Sequence, residues 1–214
     1  MLNCKRTIYI DRWQQLWQNL QAPRVPSEAL EQLLQAYSSP DRFYHTLTHL
    51  QDCLSKFDAA KSLARCPEQV ELAVWFHDAI YDPKRTDNEQ KSAEWASSVI
   101  HQSGLSSDIA ESVSQLILAT RHNSEVSDRD AQLLVDIDLS ILGSQADFWQ
   151  YEENIRTEYA WVPVDLFRQK RVEILRGFLE RQPLYYLDAF REQFEVQARV
   201  NLRDAIAKLE DHQK

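Results

Sequence analysis

Only three glycines occur among 214 residues, too few for a fold assembled from many tight turns, and this argues against an all-β architecture. Cysteine is equally scarce. Cys4, Cys53 and Cys66 are odd in number and lack the short paired spacing of a zinc knuckle, so free thiols in a reducing cytosol are the plain reading. No stretch approaches the ~20 consecutive apolar residues that span a bilayer, and no basic and apolar leader stands at the N-terminus. A cytoplasmic protein without a membrane partner is expected. Positive charge is short as well: 24 Lys and Arg face 33 Asp and Glu, a formal net charge of −9. Such a field repels polyanions, which makes nucleic acid a poor partner.

What the chain does contain is apolar and aromatic mass, including six tryptophans, enough for one sizeable core. The expected fold is all-α, a single helical domain over residues 1–214 with nine or ten helices. Within it, 1–40 supplies N-terminal helices, 41–143 a functional core and 144–214 C-terminal helices. Helix punctuation supports this division: Pro26-Ser27, a capping box from Asp87 to Gln90, Ser106-Ser107, and Gly104 and Gly143 as C-terminal stops. No internal repeat or low-complexity tract interrupts it. The segment 184–209 is expected to be one amphipathic helix.

Three segments place ionisable groups at inward or boundary positions. In RFYHTLTHLQDCL (42–54), Phe43, Leu47, Leu50, Leu54 and Phe57 predict a core-facing helical stripe, with His49 at its edge beside Cys53 and His45 one step toward the polar side. The plain alternative is two histidines making ordinary hydrogen bonds. VELAVWFHDAIY (70–81) is apolar around most of its circumference and predicts a buried helix carrying His77 and Asp78. A lone carboxylate there is costly unless a cation compensates it; the alternative is an aspartate that caps and a histidine bonded to a backbone carbonyl. In LLVDIDLSILG (133–143), Asp138 falls on the apolar face and Asp136 on the polar side, although Asp136 remains the alternative ligand and an Arg171 ion pair the alternative partner for Asp138. His49, His77, Asp78 and Asp138 together form a nitrogen and oxygen donor set without thiolate, suited to Mn, Fe, Co, Ni or Zn.

The ordered pattern H…HD…D resembles the signature of the HD superfamily of metal-dependent phosphohydrolases, whose fold is an all-α bundle around a metal. YHTLTHLQD is similar to the YHNxxHxxD motif of cyclic-nucleotide phosphodiesterases, and DLS at 138–140 to their ADLS. The likeness to bacterial predicted HD phosphohydrolases runs over RFYHTLTHL, WFHDAIYDP, ILATRH, VDIDLSILG and RVEILRGFLERQPLYY.

That resemblance implies His49, His77, Asp78 and Asp138 as metal ligands and His45 as proton donor to a leaving oxygen. It implies hydrolysis of a small phosphorylated metabolite, a nucleotide or a related compound. Asn88 and Glu89 become pocket residues, Glu89 through a metal-bound water, with helix N-terminal charge compensation as the alternative. Arg121 and His122 can meet substrate phosphate or cap a helix C-terminus. Lys84 can draw an anion or be a solvated loop charge, and Arg171 can point inward or pair with an acid. Two other classes fit the same pattern: a di-iron oxygenase, and a non-catalytic sensor of nucleotide or metal. A homodimer is compatible with the aromatic surface.

Overall fold

The computed structural model describes residues 2–123 and 125–211, with side chains from Arg6 onward. Among the described residues there are helices and turns and no strand, as the scarcity of glycine and the helical spacing of apolar residues predict. The helices are α1 (Leu2–Asn19), α2 (Ser27–Ala36), α3 (Leu47–Ala60), α4 (Pro67–Phe76), α5 (Asn88–Gln102), α6 (Ser107–Ala119), α7 (Arg129–Leu139), α8 (Phe148–Glu158) and α9 (Val164–Glu180). A tenth, α10, starts as one turn at Asp188–Phe190, widens into a π stretch at Arg191–Glu195 and continues as Val196–Asp211. No described helix is long and apolar enough to cross a membrane. The Cys4 side chain lies outside the described ones; Cys53 and Cys66 are free thiols, the first buried and the second exposed.

The chain falls into two compact units, residues 1–40 with 45–135, and residues 41–44 with 136–214. No linker composition marks this division, because the change of unit falls inside α7, between Val135 and Asp136.

In the first unit, α4 is the central element. Val70 and Leu72 to Phe76 are fully buried, which is what an apolar circumference demands of a helix. Trp75 sits edge-on to Tyr9 and Trp13 at ring-centroid distances of 5.8 and 5.2 Å. The Arg12 guanidinium reaches Glu71 through Nε at 2.7 Å and Asp58 through both terminal nitrogens at 2.7 and 2.8 Å. The Asp130 carboxylate accepts from the amides of Arg65 and Cys66 at 2.7 and 2.8 Å, just before Pro67 starts α4. Gly104 follows α5 with φ +86°, donating to the His101 carbonyl at 3.0 Å, a position where only glycine is unstrained.

In the second unit, Tyr185, Phe190 and Phe194 form an aromatic cluster with centroids about 6 Å apart. Gly143 stops the turn after α7 for a steric reason: a Cβ there would lie 2.6 Å from Phe194 Cβ. Asn201 Nδ2 ties the same turn to α10, donating to the carbonyls of Leu142 and Ser144 at 2.8 and 3.0 Å.

Four sequence expectations are corrected. Helix α3 begins at Leu47, where Thr46 caps it by accepting from the Thr48 amide, so Phe43 leaves the core stripe and is 47% exposed. The amides of Phe43 and Tyr44 instead bind the buried Glu158 carboxylate at 2.7 and 2.8 Å. Helix α4 ends at Phe76 rather than near Tyr81, because Ile80 turns away to exchange hydrogen bonds with the Ser92 hydroxyl. Asp87 makes no capping box; its carboxylate is gripped by Arg85 at 2.7 and 2.8 Å. The last helix begins at Asp188 rather than Leu184, since the amides of Tyr186 and Leu187 are drawn to Asp136.

Candidate metal centre

The first unit brings His45, His49, His77 and Asp78 together. His49 stands in the first turn of α3 and is 4% exposed. His77 caps the C-terminus of α4 at 1% exposure, and Asp78 follows in the turn. The early end of α4 matters here, because adjacent residues on a regular helix diverge by about 100°. In the turn they converge, and His77 Nε2 and Asp78 Oδ2 lie 3.1 Å apart. His49 Nε2 is 3.1 Å from His77 Nε2 and 3.2 Å from Asp78 Oδ2.

His77 Nδ1 lies 2.9 Å from the Val74 carbonyl. A neutral His77 therefore keeps its proton on Nδ1 and turns an unprotonated Nε2 toward His49 and Asp78, the arrangement by which a backbone carbonyl orients a metal-ligating imidazole. Three acceptor-bearing atoms within 3.2 Å of one another repel unless a proton or a cation sits among them. Burial opposes charge on Asp78, yet the neighbouring His77, His45 and His49 rings hold its carboxyl well below the usual range. Imidazole nitrogens and a carboxylate this close could hold a metal ion.

A thiol completes this neighbourhood, one that the nitrogen and oxygen reading of the sequence left out. Cys53, one helical turn after His49, places Sγ 3.7 Å from His49 Nε2 and 3.8 Å from Nδ1. Donor atoms of His49, Cys53 and His77 all lie within 4.8 Å of one another. Near-equal distances from both ring nitrogens set the sulfur against the side of the imidazole, off the lone pair of either nitrogen. Burial raises the thiol pKa, but the two histidines lower it more, and the net shift is downward. The spacing His49–Cys53 at i, i+4 was the signal for this contact.

His45 precedes α3 and stacks on Tyr81, rings 3.9 Å apart and 25° from parallel, with the His49 ring at 5.9 Å. No sequence pattern marked Tyr81 as its neighbour; the turn after α4 brings it there. Asn88 is committed to the backbone of Asp82, accepting from its amide at 3.1 Å and donating to its carbonyl at 2.9 Å. Glu89, in the first turn of α5, lies 3.8 Å from Arg121 Nε, and Arg121 also donates to Gln90 at 3.4 Å. His122 follows with φ +56°, a left-handed backbone that places it directly after the α6 C-cap. Lys84 is exposed in the loop between, its amide bound to Asp82 Oδ1 at 2.9 Å.

Asp138 and Arg171 belong to the second unit. Asp138 occupies the last turn of α7 and is half-buried, whereas Asp136 is fully buried, the reverse of the polar-side placement read from the helical wheel. The reason is the chain at 184–187: Asp136 accepts from the Tyr186 and Leu187 amides at 2.8 and 2.7 Å. Burial still dominates and pushes its pKa up to about 7. Arg171 is buried, with Nε 3.2 Å from Glu152 and a terminal nitrogen 2.7 Å from the Tyr151 hydroxyl. Comparison with protein-family models, with curated proteins and with solved structures found no match.

Proposed function

We propose that the chain is a cytoplasmic metal-dependent phosphohydrolase of the HD type it resembles, cleaving a small phosphate ester, a nucleotide or related metabolite. The observation that carries this reading is the convergence of His49 Nε2, His77 Nε2 and Asp78 Oδ2 within 3.2 Å, in a pocket that orients His77 from behind. These three residues would hold the ion, whether Mn, Fe, Co, Ni or Zn. The resemblance adds Asp138 as a further ligand, and Asp136 is engaged by two amides. When bound, such an ion acidifies water toward a pKa of ~7 and offsets negative charge on a phosphoryl group.

The protein's own groups supply the rest. Tyr81 holds the His45 ring by stacking, and an imidazole fixed in this way protonates the leaving oxygen. The Val74 carbonyl, 2.9 Å from His77 Nδ1, orients the ring so that Nε2 faces His49 and Asp78. Arg121, with Glu89 and Gln90 against it, presents a guanidinium suited to a phosphoryl group, and His122 and the loop cation Lys84 add to the local attraction for an anion. Asn88 acts from behind by fixing the loop at Asp82. The engagement of Arg171 by Glu152 and Tyr151 favours a structural role for it over phosphate contact.

The test is elemental analysis of purified protein, followed by a phosphate-release screen over nucleotides and sugar phosphates with added Mn or Zn. The expected result is bound divalent metal and turnover on the order of 100-fold or more above His77→Ala. Equal phosphate release by the two proteins retires the hydrolase reading.

A further inference from the structure

Helix α4 stops one residue before the His77-Asp78 pair, and the stop is made from outside the helix. In a continuing α-helix the Ile80 amide would bond the Phe76 carbonyl. Here the Phe76 carbonyl accepts from the Ala79 amide at 3.0 Å, and the Ile80 amide donates to the Ser92 hydroxyl at 3.0 Å. That hydroxyl donates in turn to the Ile80 carbonyl at 3.3 Å, so one side chain on α5 engages both main-chain groups of residue 80. One helical turn earlier on α5, Asn88 does the same at residue 82, accepting from the Asp82 amide at 3.1 Å and donating to its carbonyl at 2.9 Å. These bonds bracket Tyr81, whose ring carries the His45 stack. Ser92 is fully buried, so no bulk water stands ready to replace its hydroxyl.

We propose that Ser92, with Asn88, is a positioning residue of the metal centre: its hydroxyl keeps residues 77–82 out of the helix, and so sets Asp78 beside His77 and Tyr81 against His45. Within α5 itself a serine is a cost, since alanine is the better helix former. Removal of the hydroxyl returns the Ile80 amide to the Phe76 carbonyl and lengthens α4. On that longer helix Asp78 diverges from His77 by about 100°. The consequence for metal rests on the centre proposed above, whereas the consequence for His45 rests on the stack alone.

The test is made on the full-length protein with two readouts, neither of which is turnover. The first is the His45 Hε1 signal in the proton NMR spectrum of the metal-free protein, which stacking on Tyr81 displaces upfield; His45→Ala assigns it and Tyr81→Leu gives its unstacked position. The second is Zn affinity, from competition with a chromophoric chelator. Ser92→Ala should carry the His45 signal most of the way to the Tyr81→Leu position and weaken Zn binding roughly 10–100-fold, as loss of a group that orients a ligand from behind does. Asn88→Ala, at the half-buried end of the clamp, should move both readouts in the same direction by less, and it carries the test alone should Ser92→Ala not fold. Ser103→Ala removes an equally buried serine hydroxyl at the C-cap of the same helix, where it bonds the Ile100 carbonyl at 2.7 Å, and should change neither. Wild-type values of both readouts in Ser92→Ala and Asn88→Ala, or the same changes in Ser103→Ala, would overturn the proposal. Absence of Zn binding by the wild type would retire the metal centre, and the His45 signal would then decide the clamp.

Discussion

The histidine cluster of the first unit and the buried ionic groups of the second meet their charges differently. In the second, three buried ionic groups are answered by the protein itself: Asp136 by the amides of Tyr186 and Leu187, Glu158 by those of Phe43 and Tyr44, Arg171 by Glu152 and Tyr151. In the first, ring nitrogens of two imidazoles and a carboxylate oxygen lie within 3.2 Å of one another. A network whose donors and acceptors match is architecture. A cluster of ring nitrogens and a carboxylate this close can share a proton or hold a cation, which a closed ion pair cannot.

The contrast breaks most visibly at Arg171. Arg171→Met removes the cation and strands Glu152, so a loss of about 3–5 kcal/mol is expected in denaturant unfolding. A change below 1 kcal/mol would mean that the second unit's ion pair is not structural.

The next effect concerns pH. The carboxyl of Asp136 is raised from 3.8 to about 7 in the folded protein, so folding favours its protonated form. Its contribution to stability is complete below pH ~4, declines as pH rises and is gone once pH passes about 7. Wild type should therefore lose on the order of 4 kcal/mol across that window relative to Asp136→Asn. Parallel stability curves for the two proteins would show that the two amides offset burial more fully than this.

The smallest effect tests the first unit directly. Zn or Mn at 100 times its dissociation constant should stabilise wild type by about 2.7 kcal/mol and leave His77→Ala unchanged in a thermal melt. Equal stabilisation of both would place metal binding elsewhere in the chain.

Much of this comparison was legible in the residues. The apolar circumference of 70–81 marked a buried helix, realised as far as Phe76, the i, i+4 spacing put His49 and Cys53 side by side, and the His77-Asp78 doublet stood out as ionisable groups in apolar surroundings. What was not legible depended on where helices stop. Periodicity carries no mark at Phe76, because the stop is made by Ser92 and Asn88 on α5, several residues downstream. The same limit reversed Asp136 and Asp138. A helical wheel ranks positions by the apolarity of their neighbours on one helix, whereas Asp136 is buried by amides from a segment some fifty residues later.

Composition and local spacing were thus sufficient for the helical class, the inward placement of His49 and His77 and the turn-by-turn neighbours within a helix, since these depend on interactions over four residues or fewer. The tertiary structure alone decided which of those groups face a common point and which are silenced by backbone amides. Both outcomes require partners distant in sequence, and no local period encodes their approach.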